Sequence, residues 1–184
     1  MDTLLPDIWT TDRFLAWEDT QEGKHEFDGR DVVPMTGGSI AHQRIVFNIC
    51  LALMGLLGDR PFLALHEMRI RSGVRVRYPD VVICGTPPDQ TARTLSDAIV
   101  IFEVLSDDTA TTDRVEKLLD YAALASLRCY VLVEQTTAAA TVFRREPGGE
   151  RIASAHTDGT ISLPGLDISL SLPDLYRGLT FGVA

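Results

Sequence analysis

An ionised carboxylate inside an apolar strand needs a partner. Glu103 interrupts the run Ile99-Val100-Ile101-Phe102-Glu103-Val104-Leu105, whose β-branched and aromatic residues suit a buried strand. Unpaired there, its charge would cost several kcal/mol, so the position calls for a cation or a set of donors. Upstream, Tyr78-Pro79-Asp80-Val81-Val82-Ile83-Cys84 places an aspartate at the mouth of a second apolar strand. Two carboxylates on neighbouring short strands can hold one divalent cation between them.

A third group comes from the segment after Glu103. Asp113, Lys117 and Tyr121 are spaced four apart and share one face of a helix. Lys117 has two readings: a surface ion pair with Asp113, or a stem reaching back to the acids from a helix that directly follows the Glu103 strand. Arg69, Arg71, Arg75 and Arg77 precede Asp80, and strand alternation turns odd-numbered side chains to one face. They read as a charged, solvated strand edge or as a phosphate-contacting patch. His42 stands near a helix start, either bonded to nearby backbone or reaching a metal-bound water or phosphate. Ser106 lacks a histidine and an acid at a spacing that would make it a nucleophile, and His25, His66 and His156 show no partner spacing.

The elements that must position these groups can be read in order. Thr10 to Trp17 forms a capped helix, and His25-Glu26-Phe27 and Arg30 to Val33 form a hairpin about the Asp28-Gly29 turn. Ser39 to about Leu57 is a long apolar helix with Ile45, Ile49, Met54 and Leu56 as core candidates, ended near Gly58. Strands follow at Phe62 to His66, Met68 to Arg71, Arg75 to Tyr78, Val81 to Cys84 and Ile99 to Leu105, with Pro87-Pro88 in a loop. Asp113 and Glu116 have capping-box spacing for a helix whose apolar face holds Val115, Leu118, Leu119 and Ala122. Tyr130 to Val133 is a buried strand; Thr141 to Phe143 and Ile152-Ala153 suggest a meander, and Ile161 to Leu172 a further strand before Leu175-Tyr176. Strands and helices interleave without a regular repeat, which predicts an α/β fold around a mixed sheet.

The 184 residues suit a single domain spanning 1–184. A formal net charge of -9 argues against a protein that coats nucleic acid through bulk electrostatics. The apolar stretches are short or interrupted, and Met1-Asp2-Thr3 lacks the basic start of a signal peptide, so the expectation is a cytoplasmic protein with no membrane span. Cys50, Cys84 and Cys129, dispersed among apolar residues, read as reduced core thiols.

The strings Tyr78-Pro79-Asp80-Val81-Val82, Glu103-Val104-Leu105-Ser106, Asp113 to Lys117 to Tyr121, and Tyr130-Val131-Leu132-Val133, in this order, resemble the Uma2 family, also called DUF820, of restriction endonuclease-like proteins. The His25 to Gly29 hairpin, His42 after its small-residue loop, and Leu166 to Tyr176 extend the resemblance over nearly the whole chain. It implies a restriction-endonuclease-like core of the PD-(D/E)xK nuclease superfamily, a mixed β-sheet flanked by helices, with Mg2+ as cofactor and Mn2+ as a substitute. Asp80 and Glu103 would be the metal-binding acids and Glu26 a third, where an exposed strand acid is the alternative. The motif's lysine, normally two residues after the second acid, falls at Leu105 and would be replaced by Lys117, with His42, Tyr121 and Asp113 in support. The expected activity is Mg-dependent endonucleolytic hydrolysis of DNA, with a homodimer supplying two sites for two strands. The competing expectation is a catalytically silent binding or assembly module on the nuclease fold.

Overall fold

The side chains of the central strands are buried on both faces, so the sheet must be covered on both sides. The computed structural model describes residues 9–35, 37–85, 88–105 and 111–181, with the side chains of 111–115 left out of that description. The central sheet has six strands in the order β10-β9-β8-β7-β6-β3. They are β3 (Leu63–His66), β6 (Val81–Cys84), β7 (Val100–Leu105), β8 (Cys129–Glu134), β9 (Ala140–Arg145) and β10 (Arg151–His156). Only β7 and β8 run parallel within it. Parallel neighbours need a crossover, and α3 (Thr111–Ala122) supplies it.

Alternation sorts the side chains of this sheet into two layers. Val81, Ile83, Val100, Phe102 and Val104 share a cluster with Ile45, Ile49 and Leu53 of α2 (Ile40–Leu57). Val82, Ile101 and Leu105 face the other way, into a cluster with Tyr121 and Leu124. Each such aliphatic or aromatic side chain contributes about 1.5–3 kcal/mol on burial. α2 starts where the Ser39 hydroxyl accepts from the His42 amide at 3.1 Å. Its Asn48 is buried and donates to the carbonyls of Leu175 and Arg177, both at 3.0 Å, which ties down α4 (Leu172–Leu175).

A smaller sheet, β2-β1-β5-β4, lies beside it: β1 (His25–Phe27), β2 (Val32–Pro34), β4 (Ile70–Ser72) and β5 (Arg75–Arg77). α1 (Thr11–Glu18) stacks Phe14 on Phe27 with ring centroids 5.3 Å apart. The β1–β2 connection is longer than the two-residue turn expected: Asp28 Oδ1 accepts from the amides of Arg30 and Asp31 at 2.8 and 2.7 Å, and Gly29 takes φ +96°. The stretch expected as one strand from Ile161 folds back instead as β11 (Thr160–Leu163) and β12 (Ile168–Ser171). Gly165 and Asp167, both at positive φ, turn it.

Three core expectations are corrected. Met54 and Leu56 of α2 and Leu119 of α3 are exposed, because each helix rests one face on the sheet and hydrophobicity alone does not say which. At 18 residues α2 also reaches a length and apolarity that could cross a membrane, contrary to the expectation of no such stretch. Its inner face is instead the core of the α/β unit.

Candidate functional site

The β6–β7 register pairs Val81 with Phe102. One step further along the antiparallel ladder sets Asp80 against Glu103, and alternation turns both toward the layer of Val82 and Ile101. Asp80 Oδ2 accepts from the Val104 amide at 2.7 Å, and Oδ1 lies 3.0 Å from His42 Nε2. The Asp80 carbonyl is held as well, by the Glu67 amide at 3.1 Å and by His66 Nδ1 at 2.9 Å. His42 enters from the first turn of α2, and its ring packs directly on Gly38. A Cβ at residue 38 would stand 2.7 Å from that ring.

From α3, Tyr121 donates to Glu103 Oε1 at 2.8 Å. Lys117 Nζ sits 3.7 Å from Glu103 Oε1 and 3.8 Å from Glu26 Oε1, with its side chain 17% exposed. Lys117 therefore points into the site rather than lying on a solvated helix face. The Asp113 side chain expected beside it lies outside the described residues. Leu105, two residues beyond Glu103 on the same face, is buried in the apolar cluster, and the helix lysine fills the space by the acids instead.

Burial is the main reason the Glu103 carboxyl is pushed up to about 8; Lys117 opposes the shift, while the charges of Asp80 and Glu26 add to it. Burial and the Glu103 charge also hold the Tyr121 hydroxyl well above the ordinary phenol value, so it acts as a neutral donor. His42 is raised by its hydrogen bond to Asp80, against the opposing effect of burial.

Glu26 is buried, not an exposed strand acid. It takes the Arg77 guanidinium at 2.9 Å and the Tyr78 amide at 3.2 Å. Arg77 continues to Asp120 at 2.8 and 2.9 Å, and Arg75 also pairs with Asp120. Burial works against the charge of Arg77, but Glu26 and Asp120 outweigh it and its pKa is raised. Arg69 pairs with Glu18 and with Asp19 at 2.9 Å, and Arg71 with Asp12 at 2.9 Å. All four arginines are thus ion-paired: Arg69 and Arg77 are buried with their acids, Arg75 is half-buried, and the Arg71–Asp12 pair lies at the solvated edge, so the four do not form an open phosphate patch. Local spacing marks Arg77 but gives it no partner, and it does not mark Glu18 or Asp120 at all. Their partners lie 43 to 60 residues away along the chain, beyond any local pattern.

Among the described residues no group of three or more His, Cys, Asp and Glu side chains converges on one point. The described residues alone thus form no all-protein cage of the kind that calcium or structural zinc favours. Magnesium is commonly held by one or two carboxylates while it keeps waters and meets substrate phosphate. Asp80 and Glu103 on adjacent strands fit that requirement, and the unfavourable charge at Glu103 is of the sign that a cation would relieve.

A mixed sheet between helices, with acids opposed across two central strands, defines an α/β protein of nuclease-like fold. A crystal structure described as "a putative nuclease belonging to DUF820 from Anabaena variabilis" superposes with a TM-score of 0.76, covering 91% of this chain and 97% of that one at 20% identity. The model of the Uma2 family, described as "Putative restriction endonuclease", matches residues 11–174, and the chain belongs to that family. Two Synechocystis proteins described as uncharacterized are similar. One is 30% identical over 134 residues, covering 70% of this chain and 76% of its own; the other is 26% identical over 175 residues, covering 92% of each.

Proposed function

We propose that this chain is a magnesium-dependent endonuclease that hydrolyses phosphodiester bonds in DNA, using a PD-(D/E)xK-type site whose lysine has moved from the strand to α3. The observation that carries the reading is the insertion of Lys117 between two buried carboxylates, one of which stands opposite Asp80 on the neighbouring strand. Asp80 and Glu103 would hold the metal, which supplies Lewis-acid polarisation of the scissile phosphate and a more acidic bound water. Lys117 presents a compact ammonium to the charge that gathers on phosphoryl oxygens as water attacks phosphorus and the leaving oxygen departs. Tyr121 and His42 fix the two acids through one hydrogen bond each. Glu26, engaged by Arg77, holds Lys117 from the other side and serves position rather than metal binding.

The test is single-turnover cleavage of supercoiled plasmid with magnesium or manganese. Lys117→Met should lose at least a hundredfold in rate while melting as a folded protein, and Lys117→Arg should recover part of it, because a guanidinium fork replaces a point charge imperfectly. Glu103→Ala run in parallel excludes a contaminant. Equal cleavage by wild type and Lys117→Met, or by wild type and Glu103→Ala, would remove the reading. The silent-module alternative is favoured by the pairing of all four arginines near Asp80 with acids, and it predicts no cleavage by any of these proteins.

A further inference from the structure

A buried chain of ion pairs links the smaller sheet to the site. The antiparallel β1–β5 ladder pairs Phe27 with Val76, and one step along it sets Arg77 across from Glu26. The Arg77 guanidinium divides its donors between two acids: Nη1 reaches Glu26 Oε2 at 2.9 Å, while Nε and Nη2 hold Asp120 Oδ2 at 2.9 and 2.8 Å. Such a fork is fixed in orientation as well as in charge. Asp120 stands three residues after Lys117 on α3, hence on the same side of the helix. Lys117 Nζ is 3.8 Å from the other Glu26 oxygen, so the path from Lys117 through Glu26 and Arg77 to Asp120 closes on itself through one turn of α3. Charges alternate around that ring. The side chains of Arg77 and Asp120 are 4% and 3% exposed, where little water screens them.

We infer that Arg77 is a positioning residue for the reaction: by neutralising Glu26 it keeps that carboxylate from capturing Lys117, and so leaves the ammonium at Glu103. Lys117 Nζ lies almost midway between the two acids, 3.7 Å from Glu103 Oε1 and 3.8 Å from Glu26 Oε1. Among the described residues, Arg77 and Lys117 are the cations within ion-pair distance of Glu26. Without Arg77 the buried Glu26 charge loses its nearer partner, and Lys117 is the cation left beside it. Asp120 is not orphaned by the same change, because Arg75 also pairs with it. The loss therefore falls on Glu26. A role confined to holding β5 against α3 predicts something else: removing the Glu26 charge as well should then add damage rather than repair it. What Arg77 does for cleavage rests on the endonuclease reading, while where it holds the ammonium does not.

Single-turnover cleavage at saturating magnesium, with thermal melts to check folding, compares wild type with Arg77→Met, Glu26→Gln and the double variant. Misplacing the ammonium by about an ångström should slow Arg77→Met by about a hundredfold. Glu26→Gln keeps the Arg77–Asp120 pair and should slow by less than about tenfold, and the double variant, which no longer carries the competing charge, should cleave about as fast as Glu26→Gln. Activity regained through a second substitution is a result that lost packing would not give. Arg77→Gln, which keeps polar donors without the charge, takes the place of Arg77→Met should that protein fail to fold. An Arg77 variant that cleaves at the wild-type rate overturns the proposal, as does a double variant no faster than Arg77→Met. A wild type that cleaves nothing removes the endonuclease reading instead, and crystal structures then decide the placement. Lys117 Nζ moved from Glu103 onto Glu26 in the Arg77→Met protein supports it, and an unmoved ammonium overturns it.

Discussion

The two faces of the central sheet are built from the same strands and do opposite work. Toward α2, β6 and β7 present Val81, Ile83, Val100, Phe102 and Val104, a continuous apolar surface that needs only volume and shape. Toward α3, the same strands begin with Val82 and Ile101 and then present Asp80 and Glu103, where apolar packing gives way to Lys117, Tyr121 and Glu26. Phe102 and Glu103 are adjacent in sequence and belong to different worlds. The first face stores the stability that allows the second to keep mutually repelling carboxylates out of water, a burden of several kcal/mol that a polar site on an unsupported loop could not bear.

Substitutions on the two faces should therefore separate stability from chemistry. The largest expected effect is Phe102→Ala, which should cost about 3–5 kcal/mol through lost burial and a cavity and lower the melting temperature by about 10 °C. Its metal affinity should stay near that of wild type under conditions where it is folded. A melt shifted by less than 3 °C or so would show that the α2 face is not the stabilising one.

Next in size, Asp80→Asn should lose at least tenfold in manganese affinity while staying folded, because the amide oxygen can still accept from Val104 but carries no charge. Calorimetric titration of both proteins checks it, and undiminished binding would take Asp80 out of the ligand set.

The smallest effect is a pH dependence. Glu103 keeps its proton in the folded protein up to about 8 but ionises near the ordinary 4.5 when unfolded. Over that interval the folded state binds the extra proton, so stability in the absence of metal falls as pH rises. His42 acts in the same direction: its raised value adds stability below the ordinary 6.5, and that is lost as pH rises through the folded value. Thermal melts between about pH 5 and about pH 9 should decline for wild type and flatten by a few degrees for Glu103→Gln, with added manganese restoring the wild type at the alkaline end. A wild-type profile that rises with pH would contradict the buried-carboxyl account and put Glu103 in a solvated environment.

Much of this was readable from residue order. Glu103 and Asp80 stand out because a charge inside a β-branched run violates strand patterning, and that conflict is local. Lys117 was ambiguous for a related reason: a four-residue spacing from Asp113 describes a surface pair as well as a site residue, and only the packing of α3 over β7 turns the ammonium inward. The arginines misled because alternation assigns a face without saying what covers it. Arg77 meets Glu26 and Asp120 only because β5 sits next to β1 and beneath the end of α3. Hydrophobicity alone puts Met54 in the core, and the fold leaves it exposed.

Residue order alone sets most strands and helices to within a few positions, though not the turn at Gly165 that splits the stretch from Ile161 to Leu172, and it requires that two acids be accommodated in apolar strands, because propensity, capping and periodicity act over a few residues. Tertiary structure decided the β6–β7 register that brings Asp80 opposite Glu103, the entry of His42 from the far layer, and the burial of Glu26 with Arg77. Those outcomes depend on strand order and on which helix face meets the sheet, and both are settled by the summed burial of side chains distant in the chain.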